Sequence, residues 1–444
     1  MESSKPSISF IGLGAMGFGM ATHLVKQGYD VTGFDVWQPT LDRFKEAGGL
    51  TAVTPAGAVE NKNYCVCMVA TAQQAQAVLL DGPNPAVPAL PKGSTLLLCS
   101  TVPCAYVQSL AKQLVDAGRD DIFLVDAPVS GGAARAADGT LSIMAGASDS
   151  AIEKGQFLLK ELADEQKLYI VKGGIGAGSN MKMVHQVLAA NQILSASEAM
   201  GFAARLGLDL TTASQAVLKS EGWAWMLEHR LPRMLTAPEF KPIASALTII
   251  VKDTGIITSE AMRYGFPTPM TSTAEQVYFS GIGLGYGPDD DSGMIRIYTE
   301  GKDKVGAVQG QAESDEAKLN LVVALLKGIH LCSAAESLSF AKKCGLDLDQ
   351  VFDLCINAAG GSTVLQTIGP EMMKLYRGQD LMADSEGLGA LGQQLQTVIE
   401  EAQRLKIPLY LGAQALNIIR LALQHASQSV EKVPRALVAK VWGA

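Results

Sequence analysis

The 444-residue sequence has little charge, few aromatic rings and few histidines. Charged residues make up 18% and aromatic residues 6%, and there are five histidines. His23, His185, His229, His330 and His425 share no HxxxH or HExxH spacing, so no metal site is expected. The seven cysteines (Cys65, Cys67, Cys99, Cys104, Cys332, Cys344, Cys355) are odd in number, scattered, and form no CxxC pair. They suggest neither a zinc site nor a disulfide framework, but buried thiols in a reducing compartment. Lysine and arginine total 36 against 44 aspartates and glutamates, a net charge of −8, with no basic cluster to meet a nucleic acid or an anionic membrane. No apolar stretch approaches the roughly 18 residues of a membrane span. The opening MESSKPSISF lacks a signal core. A soluble cytoplasmic protein is expected.

What is abundant is apolar surface: 48% of residues are hydrophobic, enough for a large core. At about 150 residues per domain, the length suggests roughly three domains. Strand-like runs at Ile8–Ile11, Tyr29–Phe34, Tyr64–Val69, Thr95–Cys99 and Ile122–Val125 alternate with helical patterns such as Met20–Gln27. That alternation predicts βαβ units and a parallel sheet. From about Gly173 the strand runs give way to long helical patterns, Met181–Leu206 and Asn320–Cys344.

The helical region repeats itself. SASEAMGFAARLGLDL at 195–210 and SAAESLSFAKKCGLDL at 333–348 agree at nine of sixteen positions, 138 residues apart. RYGFPTPM at 263 and RLKIPLYL at 404 match at an offset of 141. Two ordered matches at nearly one offset argue for a duplicated unit. The polar stretch from Glu300 between them reads as a linker. The expected domains are 1–172 (α/β), 173–299 (helical), a linker at 300–314, and a second helical copy at 315–444.

Three motifs carry candidate chemistry. The first is GxGxxG at Gly12, Gly14 and Gly17, preceded by a strand and followed by a helix. Gly12 allows the tight turn, Gly14 lets backbone approach a pyrophosphate, and Gly17 lets the helix pack closely, with Leu13, Ala15 and Met16 between them. Asp35 ends the next strand 18 residues past Gly17, where a carboxylate accepts from an adenosine ribose hydroxyl. No arginine follows in Val36-Trp37-Gln38, which favours NAD over NADP. Met68 and Val69, ending the Tyr64–Val69 run, are expected beside the same cofactor.

The second motif is Val125-Asp-Ala-Pro-Val-Ser-Gly-Gly132, where Ser130, Gly131 and Gly132 offer a hydroxyl and unobstructed amides to a carboxylate. The third is Met181-Lys-Met-Val-His-Gln186. It puts Lys182, His185 and Gln186 on neighbouring positions of one helix face. A lysine among methionines and valine is poorly solvated and becomes a usable base. On residue pattern alone, an ordinary Ser-Gly-Gly turn and a snorkelling lysine explain these two motifs as well. Likewise Lys252-Asp253 reads as a surface pair, and Asp289-Asp290-Asp291 as a solvated loop or helix N-cap without metal.

Taken together, GLGAMG, DAPVSGG, GIGAGSNMKMVHQ and VKD resemble the 3-hydroxyisobutyrate / 6-phosphogluconate dehydrogenase superfamily of β-hydroxyacid dehydrogenases. KMVHQVLAANQ and GYGPDDDSGMIRIY look most like its L-threonate (four-carbon acid sugar) dehydrogenase branch. The resemblance runs from about Ser7 to Tyr298. It implies a Rossmann NAD-binding domain followed by an all-α 6-phosphogluconate-dehydrogenase-like domain, which the repeat extends to two in tandem, and hydride transfer between NAD and a small hydroxy acid. It further implies Lys182 as catalytic lysine, Gln186 as the amide beside it, and His185 as the branch's histidine. Ser130, Gly131 and Gly132 fall on the substrate-carboxylate contacts, Thr101 on the nicotinamide-side threonine, and Lys252 on the cofactor-side lysine.

The second helical copy departs from this pattern. Asn320, Val323 and Ala324 align with Lys182, His185 and Gln186, and Gln393-Gln394 with Lys252-Asp253. It reads as an internal partner for the first copy, in a chain that can also form a homo-oligomer. Its Ala-Ala-Gly-Gly-Ser loop ending at Ser362 is closer to the family's substrate-side loop than Glu221–Trp225 is, which leaves open a role for Gly361 and Ser362 at the substrate. The competing readings are an oxidative decarboxylase of the 6-phosphogluconate type and a non-catalytic nucleotide-binding protein.

Overall fold

A computed structural model describes residues 5–236, 239–241, 245–300, 314–381, 386–424 and 433–443. Most of the expected linker, 301–313, and His425 lie outside the described residues. The chain forms two compact units. One is Met1–Met183 with Gly345–Gln350, the other Val184–Cys344 with Val351–Ala444.

In the first unit, β1 (Ile8–Ile11), β2 (Val31–Phe34), β3 (Leu50–Thr51), β4 (Tyr64–Cys67), β5 (Thr95–Leu98) and β6 (Phe123–Asp126) form a parallel sheet. Its order is β3-β2-β1-β4-β5-β6. β1, β2 and β5 are buried at every residue because both faces of the sheet are covered. Adjacent residues of β1 show it: Phe10 packs into one core with Met20 and Leu24, and Ile11 into another with Leu79 and Leu98. The order reverses between β1 and β4, which opens a crevice at the strands' carboxyl ends. A second sheet escaped the sequence reading: β7 (Val129–Ser130), β8 (Leu141–Ala145) and β9 (Ala163–Ile170).

The second unit is helical. A 29-residue helix, Ala177–Arg205, starts in the first unit and continues here. Its counterpart Asp315–Lys343 has the same length. By length and composition Asp315–Lys343 meets the standard for a membrane span, contrary to the expectation that no apolar stretch is long enough. Its most apolar window is 83% buried within the protein, and a helix apolar all round is what a core helix needs to be.

The two helical halves bind each other reciprocally. Glu198 accepts from the amides of Leu411 (3.1 Å) and Gly412 (2.8 Å), at the start of helix Tyr410–Gln424. Glu336 accepts from the amides of Met270 (2.7 Å) and Thr271 (2.9 Å), at the start of helix Pro269–Gly283. The carboxylates are 138 residues apart and their targets 141, so each half caps a helix of the other. Ala224 and Ser362, also 138 apart, pair antiparallel: Trp225 N–H donates to Gly361 (2.8 Å) and Thr363 N–H to Trp223 (3.2 Å). Equivalent positions meeting each other define a local two-fold axis.

The solvated-loop reading of Asp289–Asp291 is overturned. Asp291 is fully buried and takes both Arg230 Nε (2.9 Å) and Nη2 (2.7 Å). Asp290 takes Arg233 Nε (3.0 Å) and caps Ser292, while Asp289 takes Arg296 (2.6 Å). Arg230 and Arg233, 57 to 61 residues away, and the nearby Arg296 neutralise the run.

Candidate active site

β1 delivers the chain into Gly12, whose φ of +93° only glycine adopts easily. A Cβ there would stand 2.4 Å from the Met68 carbonyl oxygen and 2.9 Å from a Val69 methyl, so Met68 and Val69 form the wall behind the turn. A Cβ on Gly17 would meet the Gly12 oxygen at 2.0 Å, which is the close packing expected of the third glycine. Gly14 differs: it is exposed and a Cβ would meet nothing within 4 Å, leaving space for a ligand at the backbone. No side chain caps helix Ala15–Lys26, whose first amides and positive dipole end therefore suit an anion. These features fit a dinucleotide.

Asp35 closes the turn. Its Oδ2 accepts from Leu13 N–H at 2.7 Å and its Oδ1 from Trp37 N–H at 2.9 Å. A carboxylate has about four lone-pair sites, so capacity for a ribose hydroxyl is left over. Val69 N–H donates to Ser100 Oγ (2.9 Å), beside Thr101 at the end of β5. Gly12, Met68, Val69 and Thr101 thus follow the ends of β1, β4 and β5.

The second motif is a strand that runs into two glycines. Ser130 is buried in β7, while Gly131 (φ +144°) and Gly132 (φ +75°) are exposed. Neither glycine carries a side chain that would obstruct its amide.

The third motif lies within helix Ala177–Arg205. Lys182 is 6% exposed, between the fully buried Met181 and the nearly buried Met183. In the helical unit, Gln186 Nε2 donates to Asp253 Oδ2 at 2.5 Å, and His185 Nδ1 lies 3.0 Å from Gln186 Oε1. The chemistry orients the chain. Asp253 can only accept, so the Gln186 amide nitrogen faces it and the amide oxygen faces His185, whose Nδ1 then carries the proton. Lys252 Nζ lies 3.1 Å from Asp253 Oδ1. Asp253 is therefore more than the surface pair the sequence suggested. It is buried, and its partner Gln186 is 67 residues away, beyond any local pattern.

The Ala358–Ser362 loop is engaged between the helical halves. Gly360 oxygen accepts from Gln192 Nε2 (2.7 Å), and Ser362 Oγ, 1% exposed, caps Leu365 (3.1 Å).

Comparison with known proteins agrees with this geometry. The family described as the NAD binding domain of 6-phosphogluconate dehydrogenase matches residues 7–173. The family described as NAD-binding of NADP-dependent 3-hydroxyisobutyrate dehydrogenase matches twice, at 176–298 and 316–434. The chain belongs to the β-hydroxyacid dehydrogenase superfamily. Among its relatives, an L-threonate dehydrogenase of Cupriavidus necator is 36% identical over 292 residues, 66% of this chain and 96% of the relative. One from Escherichia coli is 34% identical over 67% of this chain and 96% of the relative. The crystal structure of a 3-hydroxyisobutyrate dehydrogenase from Salmonella typhimurium is 32% identical, with a TM-score of 0.60 over 66% of this chain and all of its own. A Plasmodium falciparum 6-phosphogluconate dehydrogenase, 15% identical, shares the fold over 95% of this β-hydroxyacid dehydrogenase and 93% of itself, with a TM-score of 0.67. The protein is a nicotinamide-dependent hydroxyacid dehydrogenase acting on CH–OH donors.

Proposed function

We propose that this dehydrogenase oxidises the carbinol carbon of a small hydroxy or polyhydroxy acid, threonate-like or 3-hydroxyisobutyrate-like, with NAD. The observation that carries the reading is the arrangement on one helix. A buried lysine, Lys182, precedes by one turn an amide whose orientation is fixed by Asp253. The bound nicotinamide supplies the electron acceptor for the reaction. The amides at Gly131 and Gly132 and the Ser130 hydroxyl bind the substrate carboxylate, which fixes the carbinol relative to the base. Lys182 Nζ takes the hydroxyl proton during oxidation and returns it in reduction. Gln186 and His185 steady the reacting oxygen. The cofactor contacts are the turn from Gly12 to Gly17, Met68, Val69, Thr101 and Lys252.

The preference for NAD rests on Asp35 and on Val36-Trp37-Gln38, since a 2′-phosphate would meet a carboxylate and no arginine. The domain bounds belong to the same reading: a nucleotide domain to about residue 172, a catalytic helical domain to 299, and a duplicate after the linker. The duplicate serves as an internal partner, as a second subunit would, and the protein works in the cytoplasm. The experiment is a spectrophotometric scan of C3–C6 hydroxy acids with NAD and with NADP. Reduction of NAD by a C4 or branched C4 acid is the expected result. Activity confined to a phosphorylated sugar acid, with release of carbon dioxide, would overturn it in favour of the decarboxylase.

A further inference from the structure

Asp126 is a fully buried carboxylate to which the reaction above gives no task. It ends β6, four residues before Ser130. Its backbone pairs with Gly146 in both directions: Asp126 N–H donates to Gly146 (3.1 Å) and Gly146 N–H to Asp126 (2.8 Å). β8 leads into Gly146, and Ser142 of β8 pairs with Ser130. The Ser130–Gly132 segment is thus tied to Asp126 by two routes, along the chain and across the second sheet.

The side chain reaches the other way. Asp126 Oδ2 accepts from Ser179 N–H at 2.7 Å, and Oδ1 from Ser179 Oγ at 2.7 Å. Ser179 lies in the first turn of helix Ala177–Arg205, three residues before Lys182. Contact at this junction is close enough to need glycine. A Cβ on Gly178 would stand 2.3 Å from the Met144 oxygen and 2.6 Å from the Asp126 oxygen. A carboxylate at the start of a helix holds its first-turn donors and is favoured by the helix dipole. Ordinary capping residues sit next to their helix in sequence, whereas this one comes from a strand 53 residues earlier.

We infer that Asp126 is a positioning residue that fixes Lys182 relative to the Ser130–Gly132 segment, by clamping the first turn of the lysine helix to the strand that leads into that segment. The inference rests on Lys182 as the base and Ser130–Gly132 as the carboxylate site. Its consequence is a separation of effects. Loosening the clamp displaces base from substrate while the glycine-rich turn, and with it cofactor binding, is untouched.

The test compares Asp126→Asn, Ser179→Ala and Lys182→Ala in the full chain, measuring kcat, KM for the hydroxy acid and Kd for NAD. An asparagine can still accept from the Ser179 amide and donate to the Ser179 hydroxyl, but it replaces two bonds to a charged acceptor with weaker neutral ones. Asp126→Asn is expected to lower kcat about 100-fold, the cost of a misplacement of about 1 Å, with KM and Kd within about threefold of wild type. Ser179→Ala, which keeps the backbone bond, should lose about tenfold. A kcat within about threefold for Asp126→Asn overturns the inference, as does a fall in kcat matched by an equal loss of NAD affinity. Should Asp126→Asn fail to fold, Ser179→Ala decides by the same criteria. Lys182→Ala separates the two levels. If it stays active, the base assignment fails, and if it is inactive while both clamp variants turn over normally, only the positioning role fails.

Discussion

In the first helical half, residues 176–298, one face of helix Ala177–Arg205 carries Lys182, His185 and Gln186, and Asp253 closes on Gln186. In the second, 316–434, the matching face of Asp315–Lys343 carries Asn320, Val323 and Ala324, with Gln394 where Asp253 would be. At the three matching helix positions the second face has no lysine, imidazole or long amide, and smaller side chains. A cavity of about 420 Å³ opens there, lined by Asn320, Val323, Ala324, Lys327 and Gln394 among others. The folding devices of the two halves are nevertheless matched. Each has a buried glutamate capping the other's helix, a helix-internal proline at Pro232 or Pro370, and a left-handed helix end at Gly265 or Lys406. The difference separates what the helical fold requires from what the chemistry requires. The first set of residues is present twice and the second once.

The strongest test of that separation is a matched pair of substitutions on the two faces. Lys182→Ala is expected to cut kcat by about a thousandfold, within the range for loss of a general base, and to leave NAD binding unchanged. Asn320→Ala, at the matching position, is expected to leave kcat within about twofold. Steady-state kinetics and a binding titration check both. A large loss at Asn320 would show that the second face takes part in the reaction.

The next effect concerns the reciprocal caps. Glu198 and Glu336 are fully buried, and burial pushes each carboxyl up to about 7 although the capping amides pull it down. An unfolded glutamate titrates near ~4.3. Between about pH 4.3 and 7 the folded chain keeps a proton at each site that the unfolded chain releases. Stability therefore falls as pH rises through this window, by at most about 1.4 kcal/mol per pH unit per group. Glu198→Gln and Glu336→Gln each leave one buried amide poorly matched and should cost about 1–3 kcal/mol. Each should also flatten the pH dependence, as denaturant unfolding at pH 5, 6 and 7 would reveal. Similar losses in the two variants uphold the two-fold relation, and a much milder Glu336→Gln would break it.

The main sheet was legible because strands covered on both faces become apolar runs separated by helical patterns. The second sheet was not. β9 reads Ala-Asp-Glu-Gln-Lys-Leu-Tyr-Ile, an edge strand whose charges face outward and mimic a loop. The repeat could be read from its two offsets, but the exchange of caps between halves could not, since Glu198 meets Leu411 across 213 residues. The same limit hid Asp253, Asp126 and the arginines that meet Asp290 and Asp291. A lone carboxylate acquires its meaning from a partner 53 to 67 residues away, and local spacing carries no trace of that partner. The glycine turn, by contrast, announces itself because one backbone shape requires several glycines close together.

The smallest effect tests whether the second half supports the first without mirroring it. Ser337 Oγ donates to the Val184 carbonyl at 2.7 Å, in the turn between Lys182 and Gln186. The position 138 residues earlier is Ala199, which has no hydroxyl to return to the second half, so this contact lacks a two-fold mate. Val184 oxygen already lies within a helix, so Ser337→Ala removes a second bond to it and strands no donor. The expected loss is about 0.5–1 kcal/mol of stability, with kcat reduced no more than about threefold. Denaturant unfolding and initial rates on the same preparation separate these outcomes. Lost stability with unchanged kcat makes the serine an asymmetric brace of the fold. A loss of kcat with unchanged stability would instead mean that the half without its own chemistry helps hold the turn bearing Lys182 in its working geometry.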